Sequence, residues 1–170
     1  MQVFLMGMPG SGKTTTGKKI AGKLNLNFFD LDQLIQEKNL ATVTEIFSSQ
    51  GEDFFRSKEA ECLQLFLKSN KNFLLSLGGG TPCFFDNLKL IKQSGISVYL
   101  KLNPESLTQR ILHGKNTRPL FEGLDKRKIL EKTKQLLKQR ESVYQQADIC
   151  INALNLDVNS LVIEIQSKFH

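Results

Sequence analysis

Residues Gly7 to Thr14 read GMPGSGKT and fill every position of G-x-x-x-x-G-K-[ST]. In this motif Gly7, Gly10 and Gly12 let the backbone wrap tightly enough for successive N–H groups, and the positive end of the next helix, to converge on phosphate oxygens. Lys13 adds charge at the β- and γ-phosphates, Thr14 brings the first hydroxyl after the lysine to Mg2+, and Thr15 is next in line for a phosphate oxygen. A glycine-rich turn that merely joins strand to helix is the alternative, but every motif position is filled between an apolar run and a helix-period segment. Gly10, Ser11, Gly12, Lys13, Thr14 and Thr15 are therefore assigned to a nucleoside triphosphate.

A second group with chemical potential is NFFDLDQLI, residues 27–35, which carries Asp30 and Asp32 at the end of an apolar run. Such a pair could hold a metal, hold a substrate, take a proton, or cap the next helix. A strand period of two would put both carboxylates on one side of the chain, with Phe29 and Leu31 facing the other way. Asp30, nearer the phosphate loop, is expected to reach Mg2+ through water. Asp32 is expected to meet substrate hydroxyls and to be the better candidate base, though it could also serve as an N-cap.

Four further clusters follow: GEDFFRSKE at 51–59 with Arg56 and Glu59 one turn apart, SLGGGTP at 76–82, NTRP at 116–119 with Arg118, and KQRESVYQQAD at 138–148 with Arg140 one turn before Tyr144. Singly each is weak, because helix arginines are usually solvated or paired on the surface and a triple glycine is usually a turn.

The elements that must position these residues alternate from end to end. Apolar runs suited to strands buried on both faces lie at 3–6, 27–31, 73–77, 96–102 and 148–151. Helix-period segments run from 13 to 24, 42 to 49, 52 to 68, 87 to 93, 104 to 112, 127 to 146 and 158 to 168. Thr42 with Glu45 is spaced as a capping box, and Asn103 before Pro104 as an N-cap and first helical position. This order predicts an α/β domain with a parallel sheet. The segment HGKNTRPLFEGLD at 113–125 is polar, has a glycine near each end and reads as a mobile loop that closes over a site.

Composition narrows the classes. The chain has 170 residues, the length of one ordinary domain, and 40% hydrophobic with 24% charged residues, which excludes disordered and fibrous classes. The net charge of +6 favours anionic partners, but the lysines are spread rather than gathered into one tract. Cys62, Cys83 and Cys150 show neither a disulfide framework nor metal-ligand spacing, and the N-terminus lacks a signal or membrane segment. A cytoplasmic protein without membrane or nucleic-acid partners is expected.

The clusters taken in order closely resemble the shikimate kinase family over nearly the whole length. That family is similar in having a phosphate loop, a D-x-D pair, G-E-x-x-F-R-x-x-E, G-G-G, R-P-L and R-x-x-x-Y, here GMPGSGKT, DLD, GEDFFRSKE, GGG, RPL and RESVY. The resemblance implies ATP-dependent phosphorylation of shikimate at its 3-hydroxyl by a monomer. The implied fold is nucleoside-monophosphate-kinase-like, a single domain over 1–170 with a five-stranded parallel sheet in the order 2-3-1-4-5, a substrate-binding region near 32–60 and a lid near 113–124.

The resemblance also implies roles. Arg56 and Arg140 grip the substrate carboxylate, for which guanidinium offers two parallel hydrogen bonds. Gly78, Gly79 and Gly80 contact substrate, Asp32 binds it and acts on its hydroxyl, and Phe47 and Phe55 wall its ring. Glu59 pairs with Arg56 and fixes its rotamer, with an ordinary surface pair as the alternative. Arg118 swings in from the lid onto the transferring phosphoryl, alongside Lys13. Arg110 and the NALNLD segment at 152–157, Asn155 included, hold adenine, although this segment lacks the proline often found there.

Two other readings compete: a P-loop kinase for gluconate or a nucleoside monophosphate, and a nucleic-acid-associated P-loop ATPase. Against the first, no D-G-F-P-R-type segment is present. Against the second, the basic residues form no stripe interleaved with aromatics.

Overall fold

The computed structural model describes residues 1–114 and 119–169. Five strands, β1 (Gln2–Met6), β2 (Asn27–Asp30), β3 (Phe73–Ser76), β4 (Ile96–Lys101) and β5 (Ile149–Asn152), form one sheet in the order β2-β3-β1-β4-β5. Every neighbouring pair is parallel, with Val3 opposite both Leu74 and Ile96. The expected order and direction are therefore those observed.

The central strand explains the arrangement. Val3, Phe4, Leu5 and Met6 are fully buried, so β1 must be covered on both faces, and only crossover helices can do that in a parallel sheet. The covering helices are α1 (Lys13–Leu24), α2 (Leu31–Asn39), α3 (Val43–Ser69), α4 (Asn87–Ser94), α5 (Pro104–Leu112), α6 (Lys126–Tyr144) and α7 (Val158–Ser167). Phe4, Phe66, Phe73 and Phe29 chain edge-to-face contacts through the core, with centroids 4.8–5.5 Å apart.

Both predicted helix starts are capped as expected. Thr42 and Glu45 form a reciprocal capping box at α3, and the Asn103 side chain accepts from the Ser106 N–H at 2.7 Å, with Pro104 first in α5. The two helices expected at 42–49 and 52–68 run on as one element bent at Gly51, whose φ of 84° interrupts the helix.

Three expectations need correction. Helix α2 is absent from the sequence reading, because Leu31 looked like the last residue of an apolar strand. In the structure Leu31 opens α2, and Asp30 is its N-cap, accepting from the Asp32 N–H at 3.1 Å. Asp30 and Asp32 therefore share a neighbourhood through a capped helix turn and not through strand alternation, and the capping role falls to Asp30. Finally, the segment at 113–124 is not loop throughout: Pro119–Phe121 forms a short 3-10 turn that lies against α3, and Phe121 packs with Ile111 and Ile129. Its apolar anchor was hidden among polar neighbours.

Candidate active site

The C-terminal ends of β1, β2 and β3 and the N-terminus of α1 meet at one edge of the sheet, the place where open α/β sheets bind ligands. At the donor end, β1 passes directly into the GMPGSGKT loop. Gly10 and Gly12 hold φ of 88° and 94°, a left-handed conformation that side-chain-bearing residues rarely adopt, and Gly12 is the N-cap of α1. Lys13 is largely buried, and its ammonium folds back over the loop, donating to the Gly7 carbonyl at 2.8 Å and the Met8 carbonyl at 3.0 Å. The Ser11 hydroxyl is buried inside the loop with no hydrogen-bond partner. A buried unpaired polar group at a helix N-terminus fits an anionic phosphate, the chemistry expected of this loop.

Arg110 crosses this end from α5. Its guanidinium donates to the Ser11 carbonyl at 3.3 Å and the Ala153 carbonyl at 3.5 Å, bridging the phosphate loop and the turn after β5. The expected adenine arginine thus stands at the nucleotide end, while Asn155 is exposed two residues beyond Ala153.

Between donor and acceptor ends, the Thr14 hydroxyl donates to the Asp30 carboxylate at 2.8 Å. Among the described residues no three acidic, histidine or cysteine side chains cluster as metal ligands. A single hydroxyl beside a single carboxylate suits a hard cation that takes its remaining ligands from water and phosphate, as Mg2+ does.

The acceptor end is a buried ionic cluster. Arg56 on α3 is 4% exposed and forks between Glu52 at 2.9 Å and Glu59 at 2.8 Å, and Glu59 itself is fully buried. The expectation that Glu59 fixes the Arg56 rotamer matches this contact, which lies inside the protein and not on its surface. Thr81 also hydrogen-bonds Glu59, so that carboxylate is held from two sides. Three rings, Phe84, Phe55 and Phe47, surround the guanidinium with centroids 4.7, 5.3 and 5.8 Å from its carbon. Phe55 is buried against Phe47, so it braces Arg56 more than it faces a ligand.

The glycines after β3 are spaced by this cluster. A β-carbon on Gly80 would stand 2.5 Å from the Arg56 guanidinium carbon, and one on Gly78 would strike Glu59 and come within 2.8 Å of Asp32. Only glycine lets the backbone approach so closely.

Asp32 sits at the electrostatic centre. Its carboxyl is pushed up from 3.8 to about 7, first by burial, then by the Glu59 and Asp30 carboxylates, against the opposing pull of Lys13 and Arg56. One carboxyl therefore feels the donor-side lysine and the acceptor-side arginine together, and its proton is exchangeable near neutral pH. Arg140 reaches the same region from α6; it is 6% exposed, and its Nη1 has no hydrogen-bond partner. A buried unpaired guanidinium N–H is costly unless it meets an anion, which fits a carboxylate ligand.

The predicted site residues within the described chain lie on this edge except Thr15 and Asn155, for which only exposure is recorded. Arg118 lies outside the described residues. The sequence reading missed Glu52, Thr81 and Phe84 around Arg56. The signal for Glu52 was its i,i+4 spacing, whereas Phe84 reaches Arg56, and Thr81 reaches Glu59, only through the turn after β3.

Over nearly its whole length the chain is similar to known shikimate kinases. The family model for shikimate kinase matches residues 9–169. A shikimate kinase of Azobacteroides pseudotrichonymphae is 39% identical over 167 residues, which is 98% of each chain. The crystal structure of shikimate kinase from Bacteroides thetaiotaomicron superposes with a TM-score of 0.90 at 36% identity, covering 99% of this chain and 98% of that one. That of Acinetobacter baumannii, in complex with shikimate, gives 0.88 at 34% identity over 99% and 92%. A filled phosphate loop, the 2-3-1-4-5 sheet and this likeness over nearly the whole length together establish that the chain belongs to the shikimate kinase family.

Proposed function

We propose that the site transfers the γ-phosphoryl group of ATP to the 3-hydroxyl of shikimate, with each residue acting as follows. Arg56 and Arg140 hold the substrate carboxylate, Asp32 accepts a hydrogen bond from the 3-hydroxyl, and the glycines after β3 contact the ring substituents. The hydroxyl oxygen forms the new bond to the γ-phosphorus as the bond to the β–γ bridging oxygen breaks, releasing ADP. The hydroxyl proton passes to Asp32, whose carboxyl, pushed up to about 7, accepts it readily near neutrality. Lys13, and Arg118 by family likeness, neutralise charge on the transferring group; positioning and electrostatics supply most of the acceleration in such reactions. Thr14 directly and Asp30 through water would hold Mg2+, which supplies charge neutralisation on the phosphates when bound.

The observation that carries this reading is Asp32 itself, a single carboxyl under the influence of both Lys13 and Arg56. The Acinetobacter baumannii relative solved with shikimate supports the substrate. Three free cysteines support a cytoplasmic setting, and no described helix is long and apolar enough to cross a membrane. We assign the protein as a single-domain monomer.

A coupled ADP-release assay with shikimate, gluconate and nucleoside monophosphates tests the assignment, run beside Asp32→Asn. Turnover with shikimate alone, lost in the variant while ATP binding persists, is expected. Turnover only with gluconate or a nucleotide, or full activity of Asp32→Asn, would overturn it.

A further inference from the structure

In the R-x-x-x-Y pair on α6, Tyr144 has no function so far. Its side chain is fully buried and packs on Tyr99 with ring centroids 5.0 Å apart. Its hydroxyl donates to the carbonyl of Gly79, the middle glycine of the turn after β3. The same oxygen lies 3.7 Å from the Met8 sulfur in the phosphate loop, and the Arg140 guanidinium lies beside it. Gly79 in turn rests on the donor loop, since a β-carbon there would stand 2.7 Å from Pro9 Cδ.

Glycine peptides are the most free to rotate, so three in a row need an external hold to keep one orientation. In a trans peptide the C=O and N–H point in opposite directions. Fixing the Gly79 carbonyl on α6 therefore aims the Gly80 N–H away from α6. Gly80 is the residue packed on the Arg56 guanidinium, and among the described residues its N–H donates to no backbone or side-chain acceptor.

We propose that Tyr144 is a positioning residue for the acceptor: its hydroxyl clamps the Gly79 carbonyl and so presents the Gly80 N–H to shikimate, in register with the phosphate loop. This rests on the placement of shikimate against Arg56 and the glycines given above. The clamp acts on acceptor binding and leaves nucleotide binding alone, because Met8 touches the phenol through its side chain only.

Tyr144→Phe keeps the ring and removes the hydroxyl. Loss of one hydrogen bond to a buried carbonyl should raise KM for shikimate about tenfold. KM for ATP should stay within about twofold, a split that general loosening of the fold would not produce. Two further variants go through the same assay and a thermal melt. Tyr99→Phe removes a phenol hydroxyl from the same stack, one that donates to Glu141 at 3.0 Å, and should change neither KM. Arg56→Lys keeps the charge but loses the guanidinium fork, and should raise KM for shikimate.

If Arg56→Lys raises that KM and Tyr144→Phe leaves it unchanged, or moves both KM values alike, the clamp is wrong. An equal effect from Tyr99→Phe also overturns it. If Arg56→Lys has no effect on shikimate, the placement of the substrate is wrong and the clamp falls with it.

Discussion

Asp32→Asn should abolish transfer and, in the ligand-free protein above neutral pH, make the fold more stable. Burial is the largest cause raising the Asp32 carboxyl from 3.8 to about 7, and the carboxylates of Glu59 and Asp30 add to it. A folded-state pKa above the unfolded one means that the native state holds the proton more tightly. The stability tied to this group is thus complete below pH 3.8 and is lost as the pH rises through about 7. At about 1.4 kcal/mol per pH unit, the span from 3.8 to about 7 sets a ceiling of about 4 kcal/mol. Asp32 is partly open to water, which eases the penalty, so about 2 kcal/mol is expected at pH 8. For a chain of this length that corresponds to a Tm roughly 4–8 °C above wild type. Thermal unfolding of both proteins, followed by circular dichroism without ligands, measures it, and the gap should shrink to less than about half by pH 5. A variant no more stable than wild type at pH 8, or a gap that widens on acidification, would refute the reasoning.

Three further outcomes can be checked. Because the Glu59 charge raises the Asp32 carboxyl, Glu59→Gln should move the acid limb of kcat/KM to lower pH, and an unmoved limb would disprove the coupling. Gly80→Ala would put a methyl 2.5 Å from the Arg56 guanidinium carbon; KM for shikimate should rise about tenfold or more with KM for ATP unaffected, and equal effects on both would speak against the acceptor assignment. Asp30→Asn removes the carboxylate that accepts from Thr14 at 2.8 Å, so the Mg2+ concentration for half-maximal activity should rise about tenfold, and an unchanged requirement would exclude Asp30 from the metal site.

Much of the donor end was legible because its function is local. GMPGSGKT encodes its own turn through glycine conformations and its own charge through Lys13, so eight consecutive residues suffice. Capping was legible for the same reason: Thr42 and Glu45 meet within one helical turn. The acceptor end was legible only in part. Arg56 and Glu59 are one turn apart, yet their burial depends on Thr81 and the three phenylalanines that enclose them. Helix α2 was missed because its first apolar residue, Leu31, continues the apolar run of β2, and the strand stops only where Asp30 turns its side chain to cap the helix.

By itself, then, the sequence determined whatever is carried by neighbours along the chain: the alternation of strand and helix, the phosphate loop, the helix caps, and the residue types able to hold an anionic substrate. Tertiary structure alone decided the meetings of residues far apart along the chain. The Tyr144 hydroxyl is 65 residues from the Gly79 carbonyl it holds, and Thr81 is 22 from Glu59. The Asp32 carboxyl is raised toward neutrality only because folding takes it out of water and sets Glu59 beside it. Burial and charge proximity are properties of the packed sheet edge, and no window of sequence contains them.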